Sequence, residues 1–364
     1  MMPATTFHGI FCRLTCAVLC LTGMAANARY ATAQDQPVPD AIAQAAAELA
    51  KQLEPALTKR DFKVIAVGGF SAAQSVRGSG GPEIQTRLAA ALQKFGFTIN
   101  DQDYQAEVSG QYLSVEENNR QGVKIIARVV DTNGTSLGEF THFLFGVEAV
   151  PRLLGLSVSI PPLADDNARS NAFKDAQRNP PPKPQGARIV AREGSPLAIE
   201  VLVKRGDKYE PVIPGVKQRG LPFVELNDRD LYAIRLINDG NEEVAAVVSI
   251  DGISVFEFSE LNPRPQYWLV PAKSHIDIPG WHKNEQKVVE FKKVDDFSLT
   301  AAANLKLRPN EQIGLIHVCY NQCSETPFKG SRGTGFGKDV ELASKKVDRY
   351  IGNPVDQISV RYER

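Results

Sequence analysis

From residue 186 onward the chain is cut into short runs rich in Val, Ile and Tyr. These are "GARIVARE", "PLAIEVLVKR", "YEPVI", "LYAIRLIND", "EVAAVVSIDGISVFEF", "QYWLVP", "VVEF" and "IGLIHVCY", separated by turn residues at modest spacing. β-Branched and aromatic residues favour a pleated, half-buried backbone, and frequent turn signals between short strands predict an antiparallel β-sandwich or jelly roll. Helix-like spacing returns only in "KDVELASKKVDRYIG" (338–352), after which "QISVRYER" reads as a closing strand.

The stretch before this region obeys a different period. Ile42, Ala46, Leu49, Leu53 and Leu57 recur every three or four residues behind Asp40, which predicts an amphipathic helix with an N-cap, and Pro55 lies within it. "FKVIAVGGF" (62–70) reads as a buried strand, and Pro82 opens a second helix that Gly96 stops. Strands are predicted at 106–115, 123–131 and 136–145, the last two joined by the turn Asp131-Thr132-Asn133-Gly134, whose Asn-Gly pair suits positive φ. Between the two patterns lies "DAQRNPPPKPQG" (175–186), whose prolines favour an extended chain and contribute no core. The expected fold class is therefore α+β, a small α/β domain followed by an antiparallel β-sandwich/jelly-roll-like domain. The boundaries are 40–160 for the α/β domain, 161–187 for a Pro-rich linker, and 188–364 for the sandwich with a C-terminal helix and closing strand.

Arg13 precedes an apolar run from Leu14 to Met24, and Ala26-Asn27-Ala28 has the small-x-small pattern of a signal-peptidase site, with Ala31-Thr32-Ala33 as a second. The run is shorter than the about 20 apolar residues a membrane helix requires. Residues 1–28 are thus expected to be a signal peptide, and the protein to be exported to the periplasm or the exterior with no transmembrane span after its removal. Cys16 and Cys20 lack the small preceding residue of a lipidation site and read as members of the apolar signal core. Of the five cysteines, Cys319 and Cys323 then remain. In an oxidising compartment they are expected to pair as a local disulfide, with reactive or metal-bound thiols as the alternatives. Forty-two basic and forty-two acidic side chains cancel, so no global field draws the chain to nucleic acid or to an acidic membrane.

Two resemblances attach to these patterns. "VIAVGGF", "IQTRLAAALQKFGF", "YQAEVSGQYLSV" and "KIIARVVDTNGTSLGEF", with Asp131 and Gly134 at a D-x-x-G turn, resemble the envelope α/β domain shared by the curli-secretion outer-membrane protein and by lipoprotein activators of penicillin-binding proteins. That resemblance implies an accessory role in the envelope and transfers no enzymatic residues. "RLINDGNEEVAAVVSIDGISVFEFSE", "YWLVPAKSHIDIPGWHKNEQKVVEF" and "GSRGTGFGK" resemble a β-rich domain of unknown function in exported planctomycete-type bacterial proteins. This second resemblance identifies a type of domain and implies no activity.

The residues able to carry chemistry are few. Trp281, after Pro279-Gly280, either plugs the sandwich core or stacks on a ligand, and Trp268 is a second candidate for ring stacking on a sugar. In "PGWHKN", Trp281 is expected to point inward, with His282 and Lys283 outward. His275, His282 and His317, the last sharing a strand face with Cys319, are the weak candidates for a metal, although their spacing matches no standard zinc pattern. Ser254 and Ser274 stand near Asp251 and Asp277 without a Gly-x-Ser-x-Gly elbow, and Asp251-Gly252 reads first as a turn pair. "GSRGTGFGK" lacks the spacing of a phosphate loop and reads as a surface connection, so no cofactor is indicated.

With no complete catalytic constellation in the sequence, the expected function is an exported, non-catalytic binding or accessory protein of the cell envelope. Its partner would be a protein or an envelope component, with His275, Trp268, Trp281 and His282 as the binding candidates. The alternatives are a metal-dependent hydrolase around His275, Asp277 and His282, and a carbohydrate-binding module.

Overall fold

The structure is a computed structural model. It describes residues 29–33, 40–73, 80–161, 163–179, 181, 184–216, 221–308, 314–325 and 346–362. The expected signal peptide, the loop 330–338 and the first part of the expected C-terminal helix, 338–345, lie outside these residues. The architecture is α+β, with several antiparallel sheets and few helices. Among the described residues no helix is long and apolar enough to cross a membrane.

The first half forms a five-stranded sheet in the order 98–99, 64–72, 106–117, 120–131, 136–144. Val64–Ala72 runs parallel to both of its neighbours and the remaining pairs are antiparallel. Helix α1 (Ala41–Thr58) is capped by Asp40, whose side chain accepts from the Ile42 amide, and it buries Ile42, Leu49, Leu53 and Leu57 as its period predicts. Helix α2 (Gly81–Lys94) adds Ile84, Leu88 and Leu92 to the same core. The turn at 131–134 uses the Asp131 carboxylate, which accepts from the Asn133 and Thr135 amides. Gly134 takes φ +81° and Asn133 does not turn left-handed.

Where an extended linker is expected between 161 and 187, the chain first forms a short helix α3 (Ala149–Leu154) upstream and then α4 (Asp166–Arg178). The Asp165 side chain accepts from the Ala168 amide and caps α4, which inserts Phe173 into the first core. The prolines follow the helix and do not replace it.

The second half is a sandwich. One sheet follows the order 29–33, 267–270, 244–250, 315–324, 346–361, 222–223, 215–216, and the other 208–211, 197–205, 231–238, 287–292, 280–284, with 274–278 also on 231–238. Val201, Ile234, Leu236 and Ile278 from one sheet meet Val248, Trp268, Val318, Ile358 and Val360 from the other in one apolar core. The C-terminal helix expected over 338–352 is corrected for 346–352, which belong to a single strand, Lys346–Arg361. This strand pairs with Leu315–Ser324 from Tyr350 to Arg361 and with Arg29–Ala33 at its start, so sheet pairing overrides the helix-like spacing of the sequence.

The halves are joined by more than a linker. Val158–Ser159 pairs with Asp356 and Gln357 of the sandwich, and Leu307 sits in the first core. Gly252, in the hairpin turn after Val244–Ile250, lies against the first turn of α2, where an added Cβ would meet the Glu83 backbone nitrogen at 2.4 Å.

Candidate functional site

The strand Gly280–Asn284 pairs antiparallel with Lys287–Lys292. Alternation along such a strand sends Trp281 and Lys283 to one side and His282 to the other. The expected outward His282 is therefore corrected. It is buried, its Nδ1 lies 3.1 Å from Ser259 Oγ, and its ring is 5.2 Å from that of Phe256 and 5.9 Å from that of Trp268. Burial pushes the His282 imidazole below its ordinary pKa, which keeps it neutral. Trp268 is also removed from the set of exposed stacking rings: it is 5% exposed and stacked on Phe256 at 4.9 Å in the sandwich core.

Trp281 remains half-buried, set edge-to-face against Phe258 at 5.4 Å and Phe291 at 5.2 Å. It borders a cavity of about 620 Å³ where the sandwich, α2 and the segment 297–308 meet. Phe258, Tyr232 and Phe297 continue the aromatic wall, and Val289 and Leu299 bring apolar surface, 44% and 65% exposed. Asp251 also lines it. The Asp251-Gly252 turn has φ values of +51° and +72°, as a tight hairpin requires. The Asp251 carboxylate accepts from the Gly314 and Leu315 amides and from the Tyr362 hydroxyl. Burial raises the Asp251 pKa against those three donors.

Most charges around this cavity are already engaged. Lys293 pairs with Asp295, Arg308 with Glu107 at 2.7 Å, and Glu290 with Lys204 at 2.6 Å. Lys283 lies 5.7 Å from the centre of the Phe258 ring, and neither it nor the exposed Lys292 has a carboxylate partner among the described residues. The cavity thus combines an aromatic wall, a hydrogen-bonded Asp251 carboxyl and the ammonium groups of Lys283 and Lys292, neither paired with a carboxylate among the described residues.

A second cavity of about 580 Å³ opens between the helices and the outer face of the sandwich. On its helical side, Arg152 lies 3.1 Å from Asp40, 3.0 Å from Glu83 and 3.4 Å from Glu148, and Arg87 adds a contact of 3.1 Å to Asp40. Burial pushes the Glu83 carboxyl up to about 7, with Arg152 opposing the shift. Asp40 is held below the ordinary carboxylate range: burial opposes this, but Arg152, Arg87 and two backbone amides together outweigh it. Behind the cluster, His317 Nδ1 lies 2.9 Å from Ser359 Oγ, while its Nε2 makes no hydrogen bond of good geometry among the described residues. Burial, reinforced by the Arg152 charge, lowers His317 to about 3.

The remaining candidates are dispersed. His275 is exposed on Ser274–Ile278, opposite Ile237, and Asp277 is held by both arms of Arg235 at 2.7 and 2.9 Å. Ser254 and Ser274 touch neighbouring backbone groups and not a histidine side chain. His275, His282 and His317 therefore occupy three separate places, and among the described residues no group of three His, Cys, Asp or Glu could hold a metal ion. The expected Cys319–Cys323 bridge is corrected as well, since both thiols are free. The two cysteines share the strand Leu315–Ser324, and a separation of four strand residues, about 13 Å, far exceeds the roughly 4.4–6.8 Å between the Cα atoms of a disulfide. Burial raises both thiols, Cys323 to about 12 with Glu243 adding to the shift, so both stay protonated.

Sequence reasoning reached Trp281 and the Asp251 turn but missed Phe258, Leu299 and Lys292, which the fold brings to Trp281 from three separate segments. The repeated aromatics of "VFEF" were the available signal for Phe258. Fold and site together define a class, an α+β protein with a β-sandwich and a ligand-sized aromatic cavity where its two halves meet. Comparisons of the chain with family models, curated proteins and solved structures returned no match.

Proposed function

We propose that this is an exported, non-catalytic binding protein of the cell envelope, and that it holds its partner or ligand in the cavity beside Trp281. The observation that carries the reading is the combination there of half-buried Trp281 and Phe258 with the Lys283 and Lys292 ammonium groups, which no carboxylate among the described residues pairs. Concave, mostly apolar sites with a few polar groups are where proteins take small ligands. Export is supported by the apolar run after Arg13 and the Ala26-Asn27-Ala28 pattern, and an envelope role by the resemblances of both halves.

The test is a titration of the mature protein with fractionated envelope extract, followed by tryptophan fluorescence and thermal shift, for wild type and for Trp281→Ala. A saturable response that disappears in the variant is expected. An identical response in both proteins, or turnover of an envelope component by the pure protein, sinks the reading.

A further inference from the structure

We infer that the cavity beside Trp281 selects an amphiphilic anion, an aliphatic or aromatic body carrying one carboxylate-like group. The inference rests on the binding reading above and narrows it to a class of ligand. The body of the ligand is dictated by the wall: Trp281, Phe258 and Phe297 offer ring surface, and Leu299 and Val289 extend it to the mouth. A volume of about 620 Å³ lies within the range of roughly 300–1,000 Å³ typical of small-molecule sites.

The sign of the head group follows from which charges are spent. Glu290 is taken by Lys204 and by the Tyr209 hydroxyl at 3.1 Å, and Asp251 by two amides and Tyr362. The charged side chains lining the cavity are Lys283, Lys292, Lys293 and Arg308 against Asp251 and Glu290, a balance that disfavours a cationic head. An anionic head would meet Lys283, next but one to Trp281 and on the same strand face, while Lys292, which alternates with the Phe291 packed on Trp281, borders the cavity from the opposite strand face. The Lys283 ammonium already lies over the ring of Phe258, and both residues line the cavity.

Dodecanoate and dodecyltrimethylammonium below their micellar concentrations, and dodecanol below its solubility limit, provide the test. Binding to the mature protein is followed by calorimetry and by displacement of 1-anilinonaphthalene-8-sulfonate. Dodecanoate is expected to bind at least tenfold more tightly than the other two, and shortening it by one methylene should weaken it about fourfold. Lys283→Gln with Lys292→Gln should remove the preference for the anion and leave dodecanol unchanged. Leu299→Glu, at an exposed position of the wall, should weaken dodecanoate more than dodecanol, because it takes apolar surface from both and sets a negative charge only against the anion. Retention of the wild-type melting temperature by both variants separates these effects from unfolding. Equal binding of all three amphiphiles, or a preference untouched by the lysine variants, overturns the inference and leaves the binding reading standing. If no amphiphile binds while envelope extract still gives a Trp281-dependent response, the ligand class alone is wrong; if neither responds, both fail.

Discussion

The Arg152 guanidinium lies 3.0 Å from Glu83 Oε1, with only 8% and 2% of the two side chains exposed. One cation at the end of α3 thereby binds the first turn of α2, and through Asp40 at 3.1 Å the N-cap of α1. Removing a single partner from such a group leaves uncompensated buried charge, which costs far more than the intact group contributes. Arg152→Met should therefore destabilise the fold by about 3–5 kcal/mol. Urea denaturation monitored by far-UV circular dichroism measures this, and a loss under about 1 kcal/mol would show that solvent reaches the cluster.

Glu83 and His317 make opposite demands on pH. Glu83, raised from 4.5 to about 7, binds a proton more readily folded than unfolded, so its contribution is full below 4.5 and is lost as pH rises towards 7. His317, lowered from 6.5 to about 3, contributes fully above 6.5, and that contribution is lost as pH falls. Between 4.5 and 6.5 the two slopes oppose each other. Glu83→Gln should add a positive slope of stability with pH in that window, approaching about 1.4 kcal/mol per unit, and His317→Gln a negative one of similar size. Urea midpoints at pH 4.5, 5.5 and 6.5 decide this, because Asp40, Arg87, Glu148 and Arg152 are common to both variants. Parallel profiles for the two would contradict it.

Gly252 joins the halves through the absence of a side chain. Its φ is +72°, and a Cβ would stand 2.4 Å from both the nitrogen and the Cβ of Glu83. Gly252→Ala combines left-handed strain with a clash against backbone, and should destabilise by about 3 kcal/mol. Gly134→Ala provides the comparison: its φ is +81° but nothing lies within 4 Å of an added Cβ. It should lose only the strain, about 1–2 kcal/mol. Equal melting temperatures for the two variants would remove the contact from the account.

What was legible from sequence was whatever local chemistry dictates. The spacing of Ile42, Leu49, Leu53 and Leu57, the Asp40 cap and the Asp251-Gly252 turn depend on neighbours within a few residues, and each is found in place. The misreadings depend on distant partners. "GWHKN" carries no apolar alternation, so nothing local reveals that Phe256 and Trp268 will enclose His282. Arg152 and Glu83 look like ordinary charged residues near helix ends until the fold closes the sixty-odd residues between them. The strand Lys346–Arg361 carries helix-like spacing over 346–352, where only sheet pairing reveals its conformation, whereas its end from Gln357 was legible as a closing strand.

The thiols give the last prediction. Cys319 is buried beside Asn321, with Sγ 3.9 Å from Asn321 Oδ1, while Cys323 is half-buried with Sγ 3.7 Å from a Glu243 carboxylate oxygen. Raised pKa values keep both as thiols at neutral pH, and the thiolate is the species that reacts. Mature protein should therefore react with an aromatic disulfide reagent at least tenfold more slowly when native than in guanidinium, where two thiols per chain should titrate. Dithiothreitol should leave the melting temperature unchanged, because no strand residues four apart can be bridged without breaking the pairing of Leu315–Ser324 with its neighbours. A melting temperature that falls under reductant, together with no titratable thiol in guanidinium, would show that the chain leaves this register to form the bridge.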